Sequence, residues 1–505
     1  MATPSEKLAT SLEVLQALQA DGKVAIRSAD LSRTHRERLV QNGFLQDVIK
    51  GWYVPSRPDE AAGESTVWYA AFWPFVVAYL NYLKGDDWCL SPEESLALHA
   101  ENWTVPRQLL VRAVKARNNV TTLQHETSLL EVRAALPDEK DLVIKEGVRI
   151  FSLPTALISC GPRYFVQEPT DARAALAIIR DASEVLEPLL EGGHSKIAGR
   201  LAGGFRNIGR DRIADDIIRT MQSASYTVRE VDPFEVPPIS LPARADSPYV
   251  NRLRIMWQNM REDVIAHFPK AAELPQDSDA YLKQVKDTYV TDAYNSLSIE
   301  GYQVSPELIE HVRAGDWNPD QIDADREQST ALAARGYWQA YQVVLESIKK
   351  ALKGDNAGQV FDDDHRDWYR EMFAPSVTAG MLKPADLAGY RNDQVYIRGS
   401  FHVPPNRDVV RDAMPALIEL LQEETEPAVS VVLGHFIFVY IHPYMDGNGR
   451  LGRFLMNLML ASGGYPWTVV PLDVRDKYMA ALEEASVRQN IIPFTELITN
   501  LVTKG

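Results

Sequence analysis

The chain has 505 residues, too many for one hydrophobic core, and two to four domains are expected. Its composition is ordinary for a globular protein, with 45% hydrophobic and 24% charged residues. The net charge of −16 excludes broad, non-specific nucleic-acid binding but leaves room for one small DNA-reading module. Cys89 and Cys160 fit no metal or redox spacing and are expected as buried, reduced thiols. The longest apolar run, Trp68–Leu83, falls short of the roughly 18 residues of a membrane span, and the N-terminus lacks the basic start of a secretion signal. A cytoplasmic protein with no membrane partner is the expectation.

In chain order, residues 1–60 read as a winged helix-turn-helix. One amphipathic helix covers Leu12–Leu18, a short one lies near Ser28–Leu31, and a third, Thr34–Asn42, stops at Gly43. Phe44–Ile49 and Gly51–Pro55 then form a hairpin around Lys50-Gly51. Arg33, His35, Arg36 and Arg38 would suit a helix laid in a major groove. A small helical cap with solvated charges stays open beside that reading, because residues 1–60 hold eight basic and eight acidic side chains. Residues 61–230 mix strands and helices, with a strand pair at Asp141–Phe151 turning at Glu146-Gly147 and a helix over Asp171–Leu190. The phrases GFLQDVIKGWYVP and WCLSPEESLALHAENWTVP resemble the antitoxin family of type IV toxin–antitoxin systems. That resemblance implies a regulatory, DNA-binding N-terminal half rather than a catalytic one.

Residues 231–248 hold Pro233, Pro237, Pro238, Pro242 and Pro248, a density that only an extended connector tolerates. Beyond it, helical periodicity covers Tyr249–His267, Asp279–Ser298, Ser305–Ala314, Glu327–Leu352, Val410–Glu424, Ala428–Ile441, Arg453–Ser462 and Asp476–Gln489. Short strands are predicted at Asp393–Arg398 and Phe401–Val403 around Gly399-Ser400. The fold class is mostly α: an all-helical core over 249–505 with a small β-hairpin flap, preceded by an α+β half.

The chemistry concentrates in IHPYMDGNGRLGRFLMN, Ile441–Asn457. An apolar helix delivers His442, and Pro443 turns the chain out. Gly447, Asn448 and Gly449 form a loop that opens a new helix, whose free N–H groups and dipole attract phosphate oxygens. Arg450 and Arg453, three apart, share a face and can both reach a polyphosphate. Asp446 tolerates phosphate only through a divalent cation such as Mg2+. His442 has the unperturbed pKa, roughly 6.5, of a general base. Together these residues describe phosphoryl or nucleotidyl transfer.

The stretch HPYMDGNGRLGR is similar to the signature of the Fic (filamentation induced by cyclic AMP) family, His-Pro-Phe-x-Asp-Gly-Asn-Gly-Arg-x-x-Arg, with Tyr444 the one change. The resemblance implies a protein adenylyltransferase that moves AMP from ATP, with Mg2+, to a Ser, Thr or Tyr hydroxyl of a protein substrate. His442 would activate the hydroxyl, Asp446 hold the metal, and Gly447, Asn448, Gly449, Arg450 and Arg453 bind phosphates. FLMNLMLASGGYPW and RDKYMAALEEA resemble the family's closing helices, with Arg475 and Tyr478 candidates for the nucleotide wall. Where the family often has Ala-Asn-x-Gly-Asp this chain reads Ala485-Ser486-Val487-Arg488-Gln489-Asn490, which leaves the choice of nucleotide open. GYRNDQVYIRGSFHVPP resembles the family's flap, where Val395 and Ile397 either clamp a target peptide or pack on the core.

Ser296, Glu300 and Gly301, in SLSIEG, match the family's inhibitory motif Ser/Thr-x-x-x-Glu-Gly/Asn, on a helix covering about 279–301. Glu300 would pair with Arg453 and block it. Three alternatives stay open: a DNA-binding regulator with the C-terminal half as nucleotide sensor, use of another nucleotide, and removal of AMP from targets. A homodimer is left open as well.

Overall fold

The computed structural model describes residues 3–58, 65–239, 241, 247–270, 278–315 and 325–503. Residues 1–2 and 59–60 of the predicted winged segment, 61–64, and 240 and 242–246 of the predicted connector lie outside the described residues. The chain divides into two compact units: Met1–Pro248 with Tyr396–Val403, and Tyr249–Val395 with Pro404–Gly505.

The first unit begins with α1 (Pro4–Ala20), started by a capping box between Thr3 and Glu6. β1 (Ile26–Arg27), α2 (Arg33–Gln41), β2 (Leu45–Ile49) and β3 (Trp52–Pro55) follow, with sheet order β1-β3-β2. The hairpin is where the sequence placed it. The predicted helix at Ser28–Leu31 is absent: Asp30 accepts the Arg27 N–H at 2.8 Å, and this side-chain bond favours a turn over a helix. Leu15, Ile26, Leu31, Leu39 and Leu45 form a small core.

Next come α3 (Thr66–Lys84), β4 (Trp88–Leu90), α4 (Pro92–His99), β5 (Gln108–Ala113), β6 (Val120–Thr122) and β7 (Ser128–Arg133), in a sheet ordered β4-β5-β7-β6. The longest apolar run of the sequence lies in α3, whose Trp68, Phe72, Phe75 and Val76 are buried in this unit's core. Among the described residues no helix is long and apolar enough to cross a membrane. β8 (Leu142–Lys145) and β9 (Val148–Phe151) form the expected hairpin, with Glu146 and Gly147 at φ +49° and +82°. Cys89 and Cys160 are buried free thiols.

The remaining helices are α5 (Leu153–Ser159), α6 (Tyr164–Gln167), α7 (Pro169–Ile178), α8 (Ser183–Glu191), α9 (Ser195–Asn207) and α10 (Asp211–Ser223). The single helix predicted over Asp171–Leu190 is therefore two. Asp181 accepts from Ser183 N–H and Glu184 accepts from the N–H groups of Arg180 and Asp181, so side chains start a new helix where periodicity alone continued the old one. The chain after α10 lies along α9. A Cβ at Gly199 would sit 2.0 Å from the Arg229 carbonyl oxygen, and one at Gly203 2.2 Å from that of Val231. Arg173, fully buried, donates to the carbonyls of Val236 and Pro237. The described start of the predicted connector is thus extended yet tied down.

Residues 396–403 complete this unit. The Phe401 ring lies 4.6 Å from Tyr69, and Val105 N–H donates to the Phe401 carbonyl at 2.9 Å. The predicted strands at Asp393–Arg398 and Phe401–Val403 are absent, so the hairpin flap of the sequence reading is corrected to an irregular loop. Its backbone bonds go to a tight turn, Ser400 N–H to the Ile397 carbonyl, and to Val105 rather than across a hairpin.

The second unit is helical: α11 (Pro248–His267), α12 (Ser278–Ile299), α13 (Pro306–Ala314), α14 (Asp325–Leu352), α15 (Ala357–Thr378), α16 (Arg407–Glu423), α17 (Pro427–Ile441), α18 (Asn448–Ser462), α19 (Arg475–Arg488) and α20 (Ile492–Val502). The molecule is mostly α with an α+β N-terminal half, as its sequence implied. α15 and α20 were not anticipated, although Phe361, His365, Trp368 and Met372 of α15 make a buried stripe at helical spacing. At the centre, α17 is apolar all round and buried from Ala428 to Ile441 except at Val439. Gly452 lets α18 approach it: a Cβ there would lie 3.0 Å from Val439 and 3.1 Å from His435.

Candidate active site

The site grows from the junction of α17 and α18. His442 ends α17 in the left-handed region, at φ +52°, and Pro443 forbids continuation. The His442 Nδ1 lies 3.2 Å from the Val439 carbonyl, which can only accept, so Nδ1 carries the hydrogen and Nε2 keeps its lone pair. Burial pushes the imidazole down to about 4, and the Arg391 charge adds to that, so the ring is neutral at ordinary pH. Arg391 is the positioning residue that sequence reading missed. Its Nε donates to the His442 carbonyl at 2.8 Å, its Nη1 to the Asp393 carbonyl at 3.0 Å, and its Nη2 to that of Pro405, while its own N–H reaches the Pro443 carbonyl at 2.9 Å.

Asn448 fastens the loop that follows. Its Oδ1 accepts Tyr444 N–H at 2.9 Å and its Nδ2 donates to the Tyr444 carbonyl at 2.8 Å. Gly447 stands at φ +83°, with the Phe373 ring 2.8 Å from where a Cβ would be, so any side chain is doubly unfavourable there. α18 therefore begins uncapped by a side chain, with its positive end open. Arg450 is buried between the Tyr302 and Phe373 rings, 5.2 Å from each, and its Nε has no hydrogen-bond partner. Asp446 lies 3.3 Å from Arg450 Nη2, yet its side chain is 61% exposed. One exposed carboxylate at a phosphate-attracting helix start fits Mg2+, which is commonly held by one or two carboxylates plus substrate phosphates.

Arg453, one turn into α18, is already engaged. Its Nε donates to Ser296 Oγ at 2.9 Å, and its Nη2 to the Ser296 carbonyl at 3.0 Å and to Glu300 Oε1 at 2.7 Å. Burial alone would lower its pKa; the Glu300 charge and hydrogen bond outweigh that and hold it above the ordinary arginine value. Gly301, at φ +92°, stops α12 beside Glu300, and Arg475 Nε donates to the Ile299 carbonyl at 2.9 Å, a cation on the negative helix end. Gly449 makes the approach possible, since a Cβ there would lie 2.2 Å from Glu300 Oε1. The second unit thus brings together every residue singled out in both motifs: Ser296, Glu300, Gly301, His442, Asp446, Gly447, Asn448, Gly449, Arg450 and Arg453.

Residues 362–460 match the Fic/DOC family. Over that stretch the chain is similar to Fic domains. Over 232 residues it is 24% identical to the protein adenylyltransferase fic-1 of Caenorhabditis elegans, covering 44% of this chain and 41% of that protein. Over 129 residues it is 35% identical to the protein adenylyltransferase Fic of Drosophila willistoni, covering 25% of each. The chain therefore spans a quarter to two fifths of these relatives. Among solved structures, the 134–508 fragment of C. elegans Fic-1 overlays with a TM-score of 0.38 at 16% identity, covering 70% of this chain and 93% of that one. A Fic-domain signalling protein from Bacteroides thetaiotaomicron overlays with a TM-score of 0.36 at 14% identity, covering 50% and 92%.

Other predicted residues fall differently around the site. Tyr478 is buried, its hydroxyl 2.8 Å from His435 Nε2, and Arg475 serves the end of α12. Val395 and Ile397 are half-buried in an irregular loop rather than on a strand. The side chains proposed to read DNA all have partners inside the first unit: Arg33 with Glu37, His35 with Ser11, Arg36 with the Ser28 carbonyl, and Arg38 with Lys7 and Ser11.

Proposed function

We propose that this protein is a protein adenylyltransferase restrained by its own Glu300. The observation that carries the reading is the pairing of a neutral His442, its Nε2 free to accept a proton, with the α18 helix start and Arg450 and Arg453. In the reaction, a target hydroxyl oxygen bonds to the α-phosphorus of ATP, and the bond from that phosphorus to the pyrophosphate oxygen breaks. His442 Nε2 takes the hydroxyl proton. The N–H groups at the start of α18 and the two guanidinium groups hold the phosphates and offset the charge that develops on them. Asp446 would hold Mg2+, which supplies further charge neutralisation at the phosphates when bound.

Glu300 acts as the restraint because an arginine with a carboxylate in hand cannot also hold a terminal phosphate. A charge-assisted hydrogen bond is worth about 1.5–3 kcal/mol, so freeing Arg453 should raise AMP transfer roughly 10- to 150-fold. The test is incorporation of label from ATP carrying its label on the α-phosphate. Glu300→Gly should exceed wild type by that factor, and His442→Ala should fall below it by about 10²- to 10⁴-fold. Equal incorporation by all three proteins would refute the assignment.

A further inference from the structure

The first unit holds a second cationic cavity, unrelated to the Fic motif. It measures 630 Å³, and its lining includes Arg163, Lys196, Arg200 and Arg229 among Val166 and Val231. Among the described residues no carboxylate lines it, although the chain has a net charge of −16. We propose that this cavity binds a small organic anion, a phosphate or carboxylate group on an apolar body. The proposal stands independently of the AMP-transfer reading.

The cavity follows from how the chain is laid down. Gly199 and Gly203 let the extended segment 227–233 run directly against α9, and Val231 N–H donates to the Gly199 carbonyl at 3.1 Å. Extended backbone sends alternate side chains to opposite sides. Thr227, Arg229, Val231 and Pro233 line the cavity. Glu230 and Asp232 turn the other way, Glu230 to Arg206 at 2.6 Å and Asp232 to Asn207 Nδ2 at 2.8 Å. The acids nearest in sequence are thus occupied elsewhere, and the cations are left facing one space.

Arg200 is the built part of the site. Its Nη2 donates to the Cys160 carbonyl at 3.1 Å and its guanidinium lies 5.4 Å above the Phe165 ring, which fixes its plane. Its Nε is buried with no hydrogen-bond partner. Burial holds this group below the usual arginine range, as expected of a cation taken from water without a counter-charge. An anion would supply that charge. The apolar share of the ligand follows from Val166 and Val231, 41% and 53% exposed, which a bare phosphate would leave wet. The volume lies within the roughly 300–1,000 Å³ of small-molecule sites, and the cations converge on one hollow rather than running along a surface, so a small molecule fits better than an acidic peptide.

The probe is phenyl phosphate, titrated calorimetrically into the full chain at 0.15 M salt, with inorganic phosphate and a hexaglutamate peptide as comparison arms. Phenyl phosphate should bind at least tenfold more tightly than either. Hydrogen exchange should slow in peptides covering 195–200 and 227–233. Arg229→Met, at an exposed position that the fold does not need, should weaken binding about tenfold, and Arg200→Met at least as much. Absence of binding, protection confined to 442–453, unchanged affinity in both variants, or tighter binding of hexaglutamate would each overturn the proposal.

Discussion

Among the described residues two groups of cations, one in each unit, differ in what already faces them. In the second unit, Arg453 is held by Glu300 at 2.7 Å and Arg450 by Asp446 at 3.3 Å, so these cations are answered internally. In the α9 cavity the local acids are committed to Arg206 and Asn207, and the cations line the cavity without them. The difference is a lesson in reading basic clusters. A buried arginine with a carboxylate in contact has its charge answered within the fold, whereas Arg200 keeps a buried Nε without a partner beside a cavity whose described lining holds no carboxylate.

That contrast can be inverted. Removing the internal acid from the second unit is the largest step, and Glu300→Gly should change labelled AMP incorporation more than any other single substitution apart from loss at His442. Supplying an acid to the other cavity is the converse step. Thr227→Glu should occupy the cations from within, abolish measurable phenyl phosphate binding and raise the melting temperature by a few degrees, in line with about 1 kcal/mol gained. A variant that still binds the probe would show that the cations are not the attraction.

Smaller effects sharpen the comparison. Gly203→Ala places a Cβ 2.2 Å from the Val231 carbonyl oxygen, so the segment must lift from α9. A loss of about 1–3 kcal/mol in chemical denaturation, together with weaker probe binding, is expected. The pH dependence tests His442. Because its folded pKa is depressed to about 4, the base form persists at neutral pH and is lost only as pH falls through that value. The acid limb of kcat/KM for the Glu300→Gly protein should therefore lie well below pH 6, and a limb at about 6.5, the unperturbed imidazole value, would contradict the burial described here. Last, the Tyr444 hydroxyl is buried with no hydrogen-bond partner while its ring stacks 4.0 Å from Tyr369. Tyr444→Phe should leave stability unchanged or raise it by up to about 1 kcal/mol in the same denaturation assay.

The parts legible in sequence were those whose cause is local. Residues 442–453 announce themselves because loop, helix start and arginines must follow at fixed spacing, and Glu300-Gly301 because a helix stop needs its glycine at that point. Helices α11, α12, α16 and α17 were legible from apolar periodicity. The failures share a long-range cause or a side chain competing with backbone. Nothing near Arg391 reveals that its guanidinium will meet carbonyls of residues 393, 405 and 442. The break between α7 and α8 depends on Asp181 and Glu184 turning back on their own backbone. The strands predicted around Gly399 had correct alternation, but the Phe401 carbonyl accepts from Val105 and the Ser400 N–H turns back to Ile397, so the two segments form no ladder. The α9 cavity was invisible because two glycines in a helix say only that something comes close, not what.

Residues 396–403 have a consequence for how the protein is made. The aromatic contact of Phe401 with Tyr69 joins positions more than three hundred residues apart, so the first unit is not finished when its first 248 residues have been synthesised. Domains generally fold as units during translation, at roughly 5–20 residues per second. This one must wait for a clasp that leaves the ribosome only after α11 to α15 of the second unit, and a fragment cut at residue 248 would be born without it.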